Sequence, residues 1–197
     1  MFSTQATHST LVQQATGVSS NLLVKVLLAF VGSMALWASA KINIPFYPVS
    51  MTMQTFVVLV IGMSFGWKLG GATILLYLTE GALGLPVFSN TPERGIGLAY
   101  MMGPSGGYLA GFFFSAVTVG WLAEKGWDRN VFKTVFTMMI GMAIIYALGL
   151  FWLGSVIGWD KPILTLGFTP FVFADLLKIA LAAVSLPLAW KVLKRKH

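Results

Sequence analysis

Asp175 and Lys178 stand three residues apart inside a long apolar stretch near the C-terminus. On a helix that spacing puts both side chains on one face, within mutual reach. A charge at the centre of a membrane-spanning helix costs about 2.5–3.5 kcal/mol on insertion scales, so each needs a partner or a purpose. The pair could simply neutralise itself. It could also recognise a polar ligand, because a carboxylate accepts hydrogen bonds and an ammonium donates them. Glu80 lies toward the outer end of another apolar stretch, where an interfacial position would account for it equally well. Thr52, Gln54 and Thr55 give a third stretch a polar start. Capping and interhelical hydrogen bonds would use them, and so would a pocket into which Gln54 points its amide.

Other chemistries find less support. Gly103-Pro104-Ser105-Gly106 matches the GxSG around the nucleophile of rhomboid intramembrane proteases. A serine nucleophile needs a base within hydrogen-bond reach. The two histidines, His8 and His197, both lie in tails, so a Ser105–Lys178 dyad would be required. No GxxxxGK[ST] stretch exists for binding ATP in a phosphate loop. Cysteine is absent, which removes disulfides, thiolate chemistry and Cys-ligated metals. No His or carboxylate grouping suits a transition metal.

The elements that must hold these residues follow from composition. Of 197 residues 57% are hydrophobic and 10% charged, against about half and a quarter in ordinary globular chains. Mean hydropathy is +0.82. Such a chain cannot cover its own surface with solvated groups, so lipid is its solvent. Its length allows roughly six or seven spans of about 20 residues. The apolar stretches are continuous rather than alternating, which argues against a β-barrel. The net charge of +7 could suggest a nucleic-acid partner. Most of the cations, however, flank apolar runs, where they report topology instead.

Residues 1–21 are rich in Ser, Thr and Gln and lack Lys and Arg, so no secretory signal is expected there. A disordered cytoplasmic tail is. Residues 22–191 read as a single six-helix membrane domain, and residues 192–197 as a basic cytoplasmic tail. The spans fall at about 22–40, 51–65, 67–85, 103–124, 131–157 and 166–190. Pro45 and Pro48 force an extended first connection, after which Ser50 or Thr52 could cap the second helix. A turn at Gly66-Trp67-Lys68 separates the second and third spans. Residues 86–102 form the longest internal loop and carry Arg94. With both termini inside, Lys25, Lys68, Lys125, Arg129, Lys133, Lys191, Lys194, Arg195 and Lys196 are cytoplasmic. Only Lys41, Arg94 and Lys161 then lie outside. The positive-inside rule favours this arrangement. The expected fold is therefore an all-α integral membrane protein with six transmembrane helices and both termini cytoplasmic. Small residues at Gly103, Gly107 and Gly111, and at Ala29 and Ser33, would let helices approach closely.

Three segments taken together carry a resemblance. They are Pro45-Phe46-Tyr47-Pro48-Val49-Ser50-Met51-Thr52-Met53-Gln54-Thr55-Phe56, then residues 77–88 (YLTEGALGLPVF), then Gly103-Pro104-Ser105-Gly106-Gly107-Tyr108 through Phe112. In this order, with Asp175-x-x-Lys178, the chain from about Val24 onward closely resembles the BioY family. These are the biotin-specific substrate-binding (S) components of energy-coupling-factor transporters. Ser50 stands where the family pattern has proline, and Ser105 where threonine is common.

The resemblance implies a transport component of the bacterial inner membrane, not an enzyme. Biotin is its ligand, and no cofactor is required. It implies docking on a transmembrane coupling subunit driven by cytoplasmic ATPases, with the Ala29/Ser33 face of the first helix as the docking motif. Biotin's ureido ring offers two N–H donors and one carbonyl, which Asp175 and Lys178 can match. Gln54 and Glu80, beside Thr52, could complete the network. Arg94 is the candidate for the valerate carboxylate. Tyr47, Tyr77, Phe88 and Tyr108 could wall the thiophane ring. Two alternatives remain: a stand-alone secondary transporter of a small carboxylate or vitamin, with Asp175–Lys178 as proton relay, and an intramembrane serine hydrolase.

Overall fold

The computed structural model describes residues 9–16, 21–44 and 47–194. Pro45, both histidines and the last three residues of the basic tail lie outside them. The helices are α1 (Leu11–Thr16), α2 (Leu22–Lys41), α3 (Gln54–Ala82), α4 (Gly97–Met101), α5 (Gly106–Glu124), α6 (Val131–Ile157), α7 (Ile163–Gly167) and α8 (Val172–Lys194). Two short strands, β1 (Asn43–Ile44) and β2 (Met51–Thr52), pair antiparallel with Asn43 opposite Thr52. Five helices, α2, α3, α5, α6 and α8, are long and apolar enough to cross a membrane. Among the described residues the regular structure is thus all helical apart from that two-residue ladder, and the chain is a multi-pass membrane protein.

Three expected boundaries are corrected. Residues 11–16 are helical, within a segment expected to be disordered. Thr10 and Gln13 form a capping box: the Thr10 amide donates to Gln13 Oε1 at 3.0 Å and the Gln13 amide to Thr10 Oγ1 at 3.3 Å. That reciprocal pair satisfies two otherwise orphaned amides. The second helix does not restart at Ser50, because Met51 and Thr52 are committed to β2. It begins at Gln54, whose amide donates to Thr52 Oγ1 at 3.2 Å. The last span starts at Val172 rather than near 166, since α7 and the turn at Phe168–Phe171 intervene.

The expected turn near Gly66 is a fold-back inside α3. Gly66 takes φ 81° and ψ 175°, a left-handed backbone that glycine adopts without steric cost. A Cβ on Gly70 would lie 3.1 Å from Gly62 Cα, whereas eight residues of straight helix rise about 12 Å. The arms 54–65 and 67–82 therefore run antiparallel against each other. Helix α5 seats on this hairpin so tightly that a Cβ at Gly120 would meet the Gly66 and Trp67 backbone at 2.6 Å. At Gly111 α5 also meets α6, where a Cβ would stand 2.8 Å from Ile145 Cα. The small-residue row on α5 is internal packing, as expected. Helix α2 is held mainly by α3 and leaves Val26, Phe30 and Met34 exposed.

Candidate functional site

At one end of the bundle, β1–β2 and the segment 83–105 cover a pocket floored by α3 and α8. It holds about 580 Å³ of empty space, open solvent at its mouth included.

Its floor is the Asp175–Lys178 pair. Lys178 Nζ lies 2.8 Å from Asp175 Oδ1, and both side chains are more than nine-tenths buried. The helical spacing puts the two groups on one face, and the hairpin arm 54–65 brings their other partners. Lys178 Nζ also donates to the Thr52 carbonyl at 2.7 Å and to Thr55 Oγ1 at 2.9 Å. An ammonium has three N–H donors, so all are engaged. The Thr55 hydroxyl in turn donates to Asp175 Oδ1 at 3.4 Å. Tyr146, from α6, donates its hydroxyl to Asp175 Oδ2. Four elements thus converge on one compensated ion pair: β2, α3, α6 and α8. A buried pair is tolerated only when such hydrogen bonds match its remaining lone pairs and protons.

The walls are mostly aromatic and aliphatic. Tyr100, Tyr108, Phe112, Ile145 and Phe171 line the pocket. Tyr108 donates to the Gly167 carbonyl at 2.8 Å, which turns its ring rather than its hydroxyl to the space. Tyr146 stands edge-on to it, with centroids 6.4 Å apart. Gln54 also lines the pocket, and its Nε2 donates to the Tyr77 hydroxyl at 2.7 Å.

Of the residues expected at the site, Thr52, Gln54, Tyr108, Asp175 and Lys178 come together here. Others are displaced, for identifiable reasons. Tyr77 is fully buried behind the pocket, where its hydroxyl donates to the Val87 carbonyl at 2.9 Å and steers Gln54. Phe88 is likewise behind the wall, stacked on Tyr100 at 5.0 Å. Arg94 sits at the rim and ties two connections together, its Nη1 donating to the Pro48 carbonyl at 3.3 Å. Tyr47 is 78% exposed and outside the pocket. Glu80 is not in the network either; it accepts from Ser33 across the α2–α3 seam. Ser33 is 1% exposed and lies with Glu80 on a groove between α2 and α3 that Phe30, Met34 and Trp37 also line. Ala29 stays half-buried in a neighbouring groove beside Phe65 and Leu69.

Tyr146 and Tyr100 were not anticipated. A tyrosine inside an apolar span is itself a signal, because its buried hydroxyl needs a partner. Ser105 lines the pocket, but the three hydrogen bonds of Lys178 go to Thr52, Thr55 and Asp175 and none to Ser105.

Residues 8–195 match the BioY family. The chain is 39% identical over 145 residues to a biotin transporter of Thermotoga maritima, covering 74% of this chain and 83% of that one. It is 35% identical over 161 residues to a probable biotin transporter of Rickettsia prowazekii, covering 80% and 77%. In fold it is similar to the crystal structure of the S component for biotin from an ECF-type ABC transporter. The TM-score is 0.72, with 23% identity, 88% of this chain and 95% of that chain covered. The match along nearly the whole length, with relatives above 30% identity, places this chain in the BioY family of transport proteins, which are not enzymes.

Proposed function

We propose that this protein binds biotin and takes it up across the bacterial cytoplasmic membrane as the S component of an energy-coupling-factor transporter. The observation that carries this reading is the compensated Asp175–Lys178 pair on the floor of an aromatic pocket. Biotin's ureido group is a compact set of two donors and one acceptor, and its burial demands matching groups. The Asp175 carboxylate receives the N–H groups, and Lys178 donates to the carbonyl in place of the Thr55 hydroxyl. Ligand binding thereby exchanges internal hydrogen bonds for equivalent ones. Tyr108, Phe112 and Tyr146 pack on the thiophane ring. The valerate chain leads to the rim, where Arg94 meets its carboxylate.

Counting the two arms of α3 separately supports six passes, with residues 22–191 as the membrane domain. The excess of cations on one set of connections supports both termini in the cytoplasm, the N-terminal segment and the 192–197 tail included. The pocket then opens outward. The chain has no ATP-binding motif of its own, so uptake depends on a transmembrane coupling subunit and cytoplasmic ATPases. No cofactor takes part.

The test is equilibrium binding of biotin to the purified full-length chain, with dethiobiotin and lipoate as competitors. Dethiobiotin keeps the ureido ring and displaces biotin. Lipoate carries a carboxylate and a sulfur ring without a ureido group and does not. Equal competition by lipoate would contradict the reading.

A further inference from the structure

Lys41 closes α2 and does not line the pocket. Its ammonium carries three donors, and three oxygens of one connection take them. They are the carbonyls of Phe88 and Thr91, at 3.2 and 3.1 Å, and the Thr91 hydroxyl at 3.2 Å. Thr91 is buried, and its hydroxyl donates to the Phe88 carbonyl at 2.7 Å. The turn is therefore closed on itself around the cation. No carboxylate forms a salt bridge with Lys41 among the described residues.

What this turn carries is the covering of the pocket. Ser89 lines the cavity. Phe88 backs the lining residue Tyr100. The Val87 carbonyl holds Tyr77, which holds Gln54. Asn90 donates to Ser50, another lining residue. Four contacts toward the ligand space hang from residues 87–90, and one cation at the end of α2 fastens the turn that follows. An ammonium bound to carbonyls is a charge-assisted contact, so its loss weakens the hold on the segment from which all four extend.

We infer that Lys41 is a positioning residue for ligand retention: it holds the 87–91 turn over the pocket and sets how fast bound ligand leaves. The inference uses biotin as its probe and so rests on the proposed function for that readout alone.

The experiment uses the purified full-length protein and a Lys41→Met variant, which keeps the stem and removes the donors. Two quantities are read: amide hydrogen exchange across residues 87–95 without ligand, and the association and dissociation rates of labelled biotin. Loss of charge-assisted bonds predicts exchange and dissociation each faster by about tenfold or more, with association changed by less than about threefold. Thr91→Val removes one acceptor of Lys41 together with the hydroxyl's own bond to the Phe88 carbonyl, accelerates dissociation by about threefold, and adds less than its full effect on top of Lys41→Met. Exchange and dissociation within about twofold of wild type in Lys41→Met would overturn the inference. Should that variant fail to fold, Thr91→Val decides, and an unchanged dissociation rate overturns it. Should the wild type bind no biotin, the functional reading fails while exchange still decides the role of Lys41.

Discussion

The Tyr146 hydroxyl donates to the same Asp175 carboxylate whose other oxygen pairs with Lys178. A tyrosine on α6 is thereby tied to an ion pair on α8 and, through Lys178, to Thr52 and Thr55. The pocket floor is one connected network, so its members should respond as a unit.

Tyr146→Phe removes one hydrogen bond to a charged acceptor, worth about 1.5–3 kcal/mol. Isothermal titration should show biotin affinity falling by roughly tenfold or more. Thermal unfolding in detergent should show the variant still folded.

Lys178→Met leaves a buried carboxylate without its cation, a loss of about 3–5 kcal/mol in stability. Adding Asp175→Leu removes the stranded charge. The double variant should therefore unfold at a higher temperature than the single one in ligand-free protein. Strictly additive losses would show that the two charges are not coupled.

Gly66→Ala places a side chain at φ 81°, where the new Cβ would run into Glu124 Oε1. The left-handed backbone alone costs roughly 1–2 kcal/mol. A lowered unfolding temperature is expected. The variants that do fold should keep wild-type biotin affinity, since the hairpin turn lies at the opposite end of the arms from the pocket.

Asp128, in the loop between α5 and α6, is fully buried and accepts from Trp190 Nε1. Burial pushes its carboxyl from the ordinary 3.8 up to about 6, against the opposing effects of the Trp190 hydrogen bond and the Arg129 charge. A folded-state value above the unfolded one means that its contribution is fully present below about 3.8 and is lost as pH rises through about 6. The unfolding temperature should therefore fall between about pH 4 and pH 6 and level off above that, and Asp128→Asn should flatten the decline.

The apolar helices, the turn at Gly66 and the pairing of Asp175 with Lys178 were legible in the sequence because each has a local cause: apolar length, a glycine, a three-residue spacing; the starts of the second and last spans were not. Thr52 and Gln54 were legible for the same reason, as a polar start to an apolar run. The positions of Tyr77, Phe88, Glu80 and Ser33 were not. Whether an aromatic ring lines a pocket or backs it depends on which way a neighbouring helix presents its face. Glu80 and Ser33 lie on different helices, 47 residues apart, and only the packing of α2 on α3 turns them toward each other. Tyr146 needed knowledge that α6 packs on α8. The Thr10–Gln13 capping box was readable locally; the polar composition around it pointed toward disorder instead.

The most direct test of the account is equilibrium titration of biotin into Asp175→Asn and Lys178→Ala proteins beside the wild type. Each change strands a buried partner, so each should weaken binding by about 2 kcal/mol or more, roughly thirtyfold. Wild-type affinity in both variants would contradict the assignment of this pair to the ligand.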